Sequence, residues 1–180
     1  MKSVMIFPGY GESGESVWFP YLSKELKELN FDVNIINFPD PNDPVLSHWL
    51  SVALKKDYDE ETILVGHSSG VAVILSVLEN INIRIQKAVL VAGFVKPLEK
   101  LPDVTPILQE SYNWEKIKSH CGEFITINGV DDPWGCDGVQ GSMIFDNVGG
   151  TLILNYEGHM GSDTFDQPYR EFPFLVKLIS

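Results

Sequence analysis

Three groups of residues in this chain could do chemistry together. They are Gly66-x-Ser68-x-Gly70 in "VGHSSG" (65–70), Asp131-Asp132-Pro133 in "INGVDDPW" (127–134) and Gly158-His159 in "NYEGHMGS" (155–162). A serine hydroxyl is a weak nucleophile until a base takes its proton, and a neutral imidazole is the usual base. A buried carboxylate then fixes the imidazole tautomer and stabilises the imidazolium that forms. Serine, acid and histidine occur here in that chain order, as acyl-transfer enzymes built on a parallel sheet require. The glycines flanking Ser68 suit a turn too tight for side chains on either side, with Ser68 held in strained backbone at a helix N-terminus. Asp131 and Asp132 both fit the acid's place, and spacing does not separate them. Taken singly, each group also reads as ordinary turn chemistry; their occurrence in the required order points to catalysis. His67, next to the serine, is expected to point away from it. His48 and His120 read as ordinary polar positions in helices or at their ends.

Such groups need a scaffold that carries them to one edge. Short, largely apolar runs recur as candidate strands: "SVMIF" (3–7), "DVNIINF" (32–38), "TILVG" (62–66), "KAVLVAG" (87–93), "FITING" (124–129) and "TLILNY" (151–156). Between them lie helical patterns: "PYLSKELKELN" with Pro20 at its first position, "VLSHWLSVALKK", "SGVAVILSVLENI", "NWEKIKSHC", "GVQGSMIFDNV" and a closing "PFLVKLIS". The alternation predicts a single α/β domain over 1–180, a three-layer α/β/α arrangement around a six-stranded parallel sheet. Ligands of such sheets sit beyond the carboxyl ends of the strands. Ser68, the two aspartates and His159 all fall just after a predicted strand. Residues 94–123, between strands four and five, are too few for a cap domain, so the site is expected to be open.

Composition narrows the function classes. With 180 residues, 44% of them hydrophobic, the chain can bury one sizeable core. Its formal net charge of −12, with no basic cluster, argues against nucleic-acid and membrane partners. No apolar run approaches the roughly 20 residues of a membrane span, and "VMIF" ends at Pro8, shorter than the core of a signal peptide. A cytoplasmic protein is expected. Cys121 and Cys136 lack a C-x-x-C spacing and read as reduced thiols, with neither a disulfide framework nor a metal site implied.

The segment "IFPGYGESGES" (6–16) carries Gly9-x-Gly11-x-x-Gly14, the letter pattern of a dinucleotide-binding turn. A cofactor site needs those glycines to run directly into a helix, with an acid about 20 residues further on. Here Pro20 marks the helix start well past the glycines, Glu12 and Glu15 oppose phosphate, and Asp40 lies 31 residues beyond Gly9. No cofactor is expected, and added NAD should leave the melting temperature unchanged. The turn after strand one instead lies beside the strand-three turn, where the backbone N–H of Tyr10, with that of Ser69, could form an oxyanion hole.

Together these residues resemble the small α/β-hydrolase-fold serine hydrolases represented by retinoblastoma-binding protein 9 and YdeN-like proteins. "NFPDP" (37–41), "WEKIKSHC" (114–121) and "DDP" (131–133) carry the resemblance beyond "GHSSG", and it spans nearly the whole chain. It implies a minimal α/β-hydrolase fold, its strands in the order 2-1-3-4-5-6, with Ser68 as nucleophile, His159 as base and the second aspartate, Asp132, as acid. Two departures stand out. Trp134-Gly135-Cys136 replaces the apolar residue and proline that often follow the Asp-Pro, and Pro8-Gly9 replaces the His-Gly of many hydrolases. The expected activity is cofactor-independent cleavage of a small carboxylic ester, thioester or amide through an acyl-Ser68 intermediate. A second class, a non-catalytic protein-binding module, would use exposed Trp18, Phe19 and Trp134 as anchors.

Overall fold

The computed structural model describes residues 2–180. Continuously apolar, β-branched runs cannot leave either face in water, and they stack as parallel strands covered on both sides. The strands are β1 (Ser3–Phe7), β2 (Asp32–Ile35), β3 (Ile63–His67), β4 (Ile85–Val91), β5 (Cys121–Gly129) and β6 (Thr151–Asn155). All pairings are parallel, as the alternating pattern predicts, in the order β2-β1-β3-β4-β5-β6 that the resemblance implies. The register pairs Phe7 with Gly66 and Val91 with His67, so the ends of β1, β3 and β4 lie level.

The helices are α1 (Phe19–Glu28), α2 (Leu46–Ala53), α3 (Ser69–Asn80), α4 (Trp114–Ser119), α5 (Gly138–Val148) and α6 (Pro173–Ile179). They pack in two groups: α1 against α6, and α2, α3, α4 and α5 in a row. Helix α3 is apolar on every side, and residues Ser69 to Leu78 are buried without a break, as a helix between a sheet and its neighbours requires. Among the described residues no helix is long and apolar enough to cross a membrane.

The larger differences from the sequence pattern have local reasons. Strand β2 stops at Ile35 rather than 38, where the chain turns through Pro39, Asp40 at φ +44° and Pro41. Helix α2 stops at Ala53, whose carbonyl accepts the Tyr58 hydroxyl at 2.8 Å. Strand β5 starts three residues early at Cys121, because Ile85 of β4 offers it a ladder partner. A 3₁₀ helix over Pro102–Ile107 has no counterpart in the sequence pattern; two prolines hide it, and Val104 and Ile107 anchor it in the core. The aromatic anchors are also corrected. Trp18 and Phe19 are fully buried, packed edge to face on each other, and only Trp134 of the three is half-exposed.

Candidate active site

The turn from β3 into α3 is built by exclusion of side chains. A Cβ on Gly70 would stand 2.1 Å from the Phe7 carbonyl oxygen, and one on Gly66 would meet Ile74 Cδ1 at 2.8 Å. Between them Ser68 sits at φ +52°, ψ −120°, backbone that only glycine adopts freely and that costs a serine about 1–3 kcal/mol. Its main-chain N–H is tied to the Val91 carbonyl at 2.9 Å, so the strain is held in place by the sheet.

The acid loop follows β5. Asn128, buried there, donates to the carbonyls of Gly93 and Cys136 at 3.0 and 2.8 Å and closes the loop on itself. Asp137 then caps α5 by accepting from the N–H groups of Val139 and Gln140. In between, the two aspartates take different work. Asp132 is buried, and its Oδ2 lies 2.7 Å from His159 Nδ1 while its Oδ1 accepts from the N–H groups of Trp134 and Gly135 at 2.8 and 3.1 Å. Asp131 is exposed and accepts the Gly158 N–H at 3.0 Å. Burial pushes the Asp132 carboxyl up, but the His159 hydrogen bond and charge, with the loop N–H groups, outweigh it and hold the carboxyl below its ordinary range.

Four contacts hold the His159 loop. Gly158 N–H is bound by Asp131, the His159 N–H donates to Gln167 Oε1 at 3.0 Å, and Trp18 Nε1 donates to the Met160 carbonyl at 3.0 Å. The fourth comes from His67, fully buried, whose Nε2 donates to the His159 carbonyl at 2.9 Å. As expected His67 points away from the pocket, yet it touches the main chain of His159. Its other nitrogen, Nδ1, lies 2.7 Å from Glu12 Oε1, and Glu12 Oε2 accepts the Gly9 N–H.

The glycine loop therefore packs against this site. A Cβ on Gly9 would stand 2.9 Å from Ser68 Cβ, Gly11 at φ +70° donates to the Pro41 carbonyl at 2.8 Å, and α1 begins only at Phe19. Ser68 and His159 open into one pocket of about 280 Å³, walled by Tyr10, Val17, Leu101, Trp134 and Ser162. Among the described residues no hydrogen bond joins the Ser68 hydroxyl to His159; such bonds tighten when substrate enters.

Cys136, Asp132 and His159 offer donor atoms within 4.8 Å of one another, the one such group of metal-binding type among the described residues. Its carboxylate and imidazole are already spent on each other. Burial, reinforced by the Asp132 charge, pushes the Cys136 thiol well up, so it stays neutral. Both cysteines are free thiols. Sequence reasoning missed Glu12, Cys136 and Gln167; the first two lie within four residues of Gly9 and Asp132, a proximity that could have marked them.

With this geometry in view, comparison with known proteins is informative. The family described as Serine hydrolase matches residues 4–178. The YdeN protein of Bacillus subtilis (strain 168), named as a hydrolase, is 35% identical over 135 residues, which make up 73% of this chain and 71% of YdeN. Serine hydrolase RBBP9 of Rattus norvegicus is 28% identical over 135 residues, 72% of each chain. The crystal structure of the B. subtilis ydeN gene product superposes with a TM-score of 0.93 at 27% identity, covering 99% of this chain and 97% of that one.

Proposed function

This chain belongs to the serine hydrolase family, and from that premise we propose that it cleaves small carboxylic ester, thioester or amide substrates through an acyl-Ser68 intermediate. The observation that carries the reading is a strained Ser68 and a His159 facing one pocket, with the 2.7 Å contact of Asp132 behind that histidine.

In this mechanism His159 keeps its Nδ1 proton on Asp132, which leaves Nε2 free to accept a proton from the Ser68 hydroxyl. As that proton leaves, Ser68 Oγ bonds to the substrate carbonyl carbon and the carbonyl electrons move onto oxygen. In this reading the main-chain N–H groups of Tyr10 and Ser69 receive that oxyanion. Gly9 N–H, by contrast, already donates to Glu12. Each oxyanion donor is worth about 3–4 kcal/mol of barrier. Collapse of the intermediate breaks the bond to the leaving group, which takes the proton back from His159. Water then repeats the sequence on the acyl-serine: His159 accepts its proton, the hydroxyl adds to the acyl carbon, and the acid departs as Ser68 is reprotonated. No step uses a metal or cofactor. A 280 Å³ pocket with an aromatic wall suits a short acyl group better than a long chain.

Incubation with a fluorophosphonate probe tests the reading. Wild-type protein is expected to be labelled stoichiometrically at Ser68, and Ser68→Ala not at all. A folded, unlabelled wild type that still captured a specific protein partner would favour the binding-module alternative.

A further inference from the structure

Both nitrogens of the His67 ring face oxygen atoms. Nε2 lies 2.9 Å from the His159 carbonyl, which can only accept, so Nε2 must carry a hydrogen. Nδ1 lies 2.7 Å from Glu12 Oε1, and the other oxygen of that carboxyl already accepts the Gly9 N–H. If Oε1 accepts as Oε2 does, Nδ1 carries the second hydrogen of the ring.

We propose that half-buried Glu12 and buried His67 form an ion pair that positions the reaction centre, tying the loop after β1 to the main chain of the catalytic histidine. Here Glu12 and His67 are positioning residues, and the inference rests on the Ser68–His159 reading above.

The surroundings favour the pair. His67 is wholly buried, with the rings of Trp18 and Phe19 edge-on at 5.8 and 6.1 Å, so water does not compete for either nitrogen. The titratable groups that face it are Glu12 from the loop after β1, Asp132 from the loop after β5, and His159, whose ring centre is 4.9 Å away, from the loop after β6; Trp18, just before α1, and Phe19, at its start, are uncharged. Burial alone would lower the imidazole, but the Glu12 charge and hydrogen bond, the His159 carbonyl and the Asp132 charge reverse that and raise it.

The pair also spans the parts that must keep their spacing. Glu12 holds the Gly9 N–H, Gly9 packs against Ser68, Tyr10 follows in sequence, and His67 holds the base's own carbonyl. A shift of about 1 Å between such parts lowers turnover roughly 100-fold.

Nitrogen-15 NMR of the full wild-type chain reads the pair without any substitution: both ring nitrogens of His67 are expected to be protonated at neutral pH. An unprotonated Nδ1 would overturn the proposal. Kinetics on p-nitrophenyl acetate then test its role. Glu12→Gln and His67→Gln should each lower kcat about 10- to 100-fold with KM within about twofold, and the double variant should fall no further than the worse single. In Glu12→Gln the alkaline limb of kcat should move to lower pH, because burial then acts on His67 with less opposition. Additive losses, or KM rising in step with the fall in kcat, would count against positioning. If the Ser68 reading itself fails, wild type goes unlabelled by fluorophosphonate while the His67 nitrogens still report the pair, so the two failures are distinguishable.

Discussion

Two adjacent aspartates show how one bond separates roles that spacing left open. Asp132 supplies a charged acceptor to His159, and an amide in its place would favour the wrong imidazole tautomer. Asp132→Asn is therefore expected to lower kcat about 10⁴-fold, measured on a short-chain ester. Asp131→Asn retains an oxygen for the Gly158 N–H and should stay within about tenfold of wild type. The same residues set a pH signature. Asp132 is held below its ordinary value of 3.8, so its contribution to stability is complete above that value and is lost as pH falls through the lowered one. Denaturant midpoints on acidification should accordingly fall less steeply in Asp132→Asn. His67 is raised above 6.5, so its contribution is complete below that pH and is lost as pH rises through the raised value. Of the site residues, Ser68 and His159 were legible because their motifs name a local geometry. Asp132 followed from family resemblance, and Glu12, though close to Gly9, was missed because its partner lies 55 positions away.

At the scale of elements, the site depends on turns that leave no room. Gly70→Ala would drive a methyl group into the Phe7 carbonyl, backbone that cannot move without parting β1 from β3. A loss of about 3 kcal/mol or more is expected, read from urea unfolding. Gly9→Ala meets the Ser68 Cβ at 2.9 Å and should act differently, lowering kcat while leaving the urea midpoint close to wild type. Strand existence was legible because a buried parallel sheet demands continuous apolar runs. The ends of β2 and β5 were not, since a strand extends as far as its neighbour offers hydrogen bonds. The 3₁₀ helix was hidden for a related reason: prolines mark a break in any local pattern, and only burial of Val104 and Ile107 shows that the break is packed.

For the molecule as a whole, charge is the dominant long-range feature. Twenty-five acidic residues against thirteen lysines and arginines leave a formal net charge of −12. Anionic esters should react more slowly than neutral isosteres at low ionic strength. The difference should narrow as salt shortens the screening length to about 8 Å, a comparison of kcat/KM that needs no variant. If the rate ratio is unaffected by salt, the acidic surface does not reach the pocket.

What the sequence determined by itself was the layered α/β architecture and the three loops that carry Ser68, the aspartates and His159 just past their strands. Periodicity and glycine spacing are local, and in this fold local pattern dictates which loops gather at one edge of the sheet. The tertiary structure showed that Asp132, the aspartate the resemblance implied, meets His159, and it alone decided that Trp18 and Phe19 belong to the core and that Glu12 and His67 join behind Ser68 and His159. Those are contacts between residues far apart in the chain, fixed by packing and burial, and no local spacing encodes them.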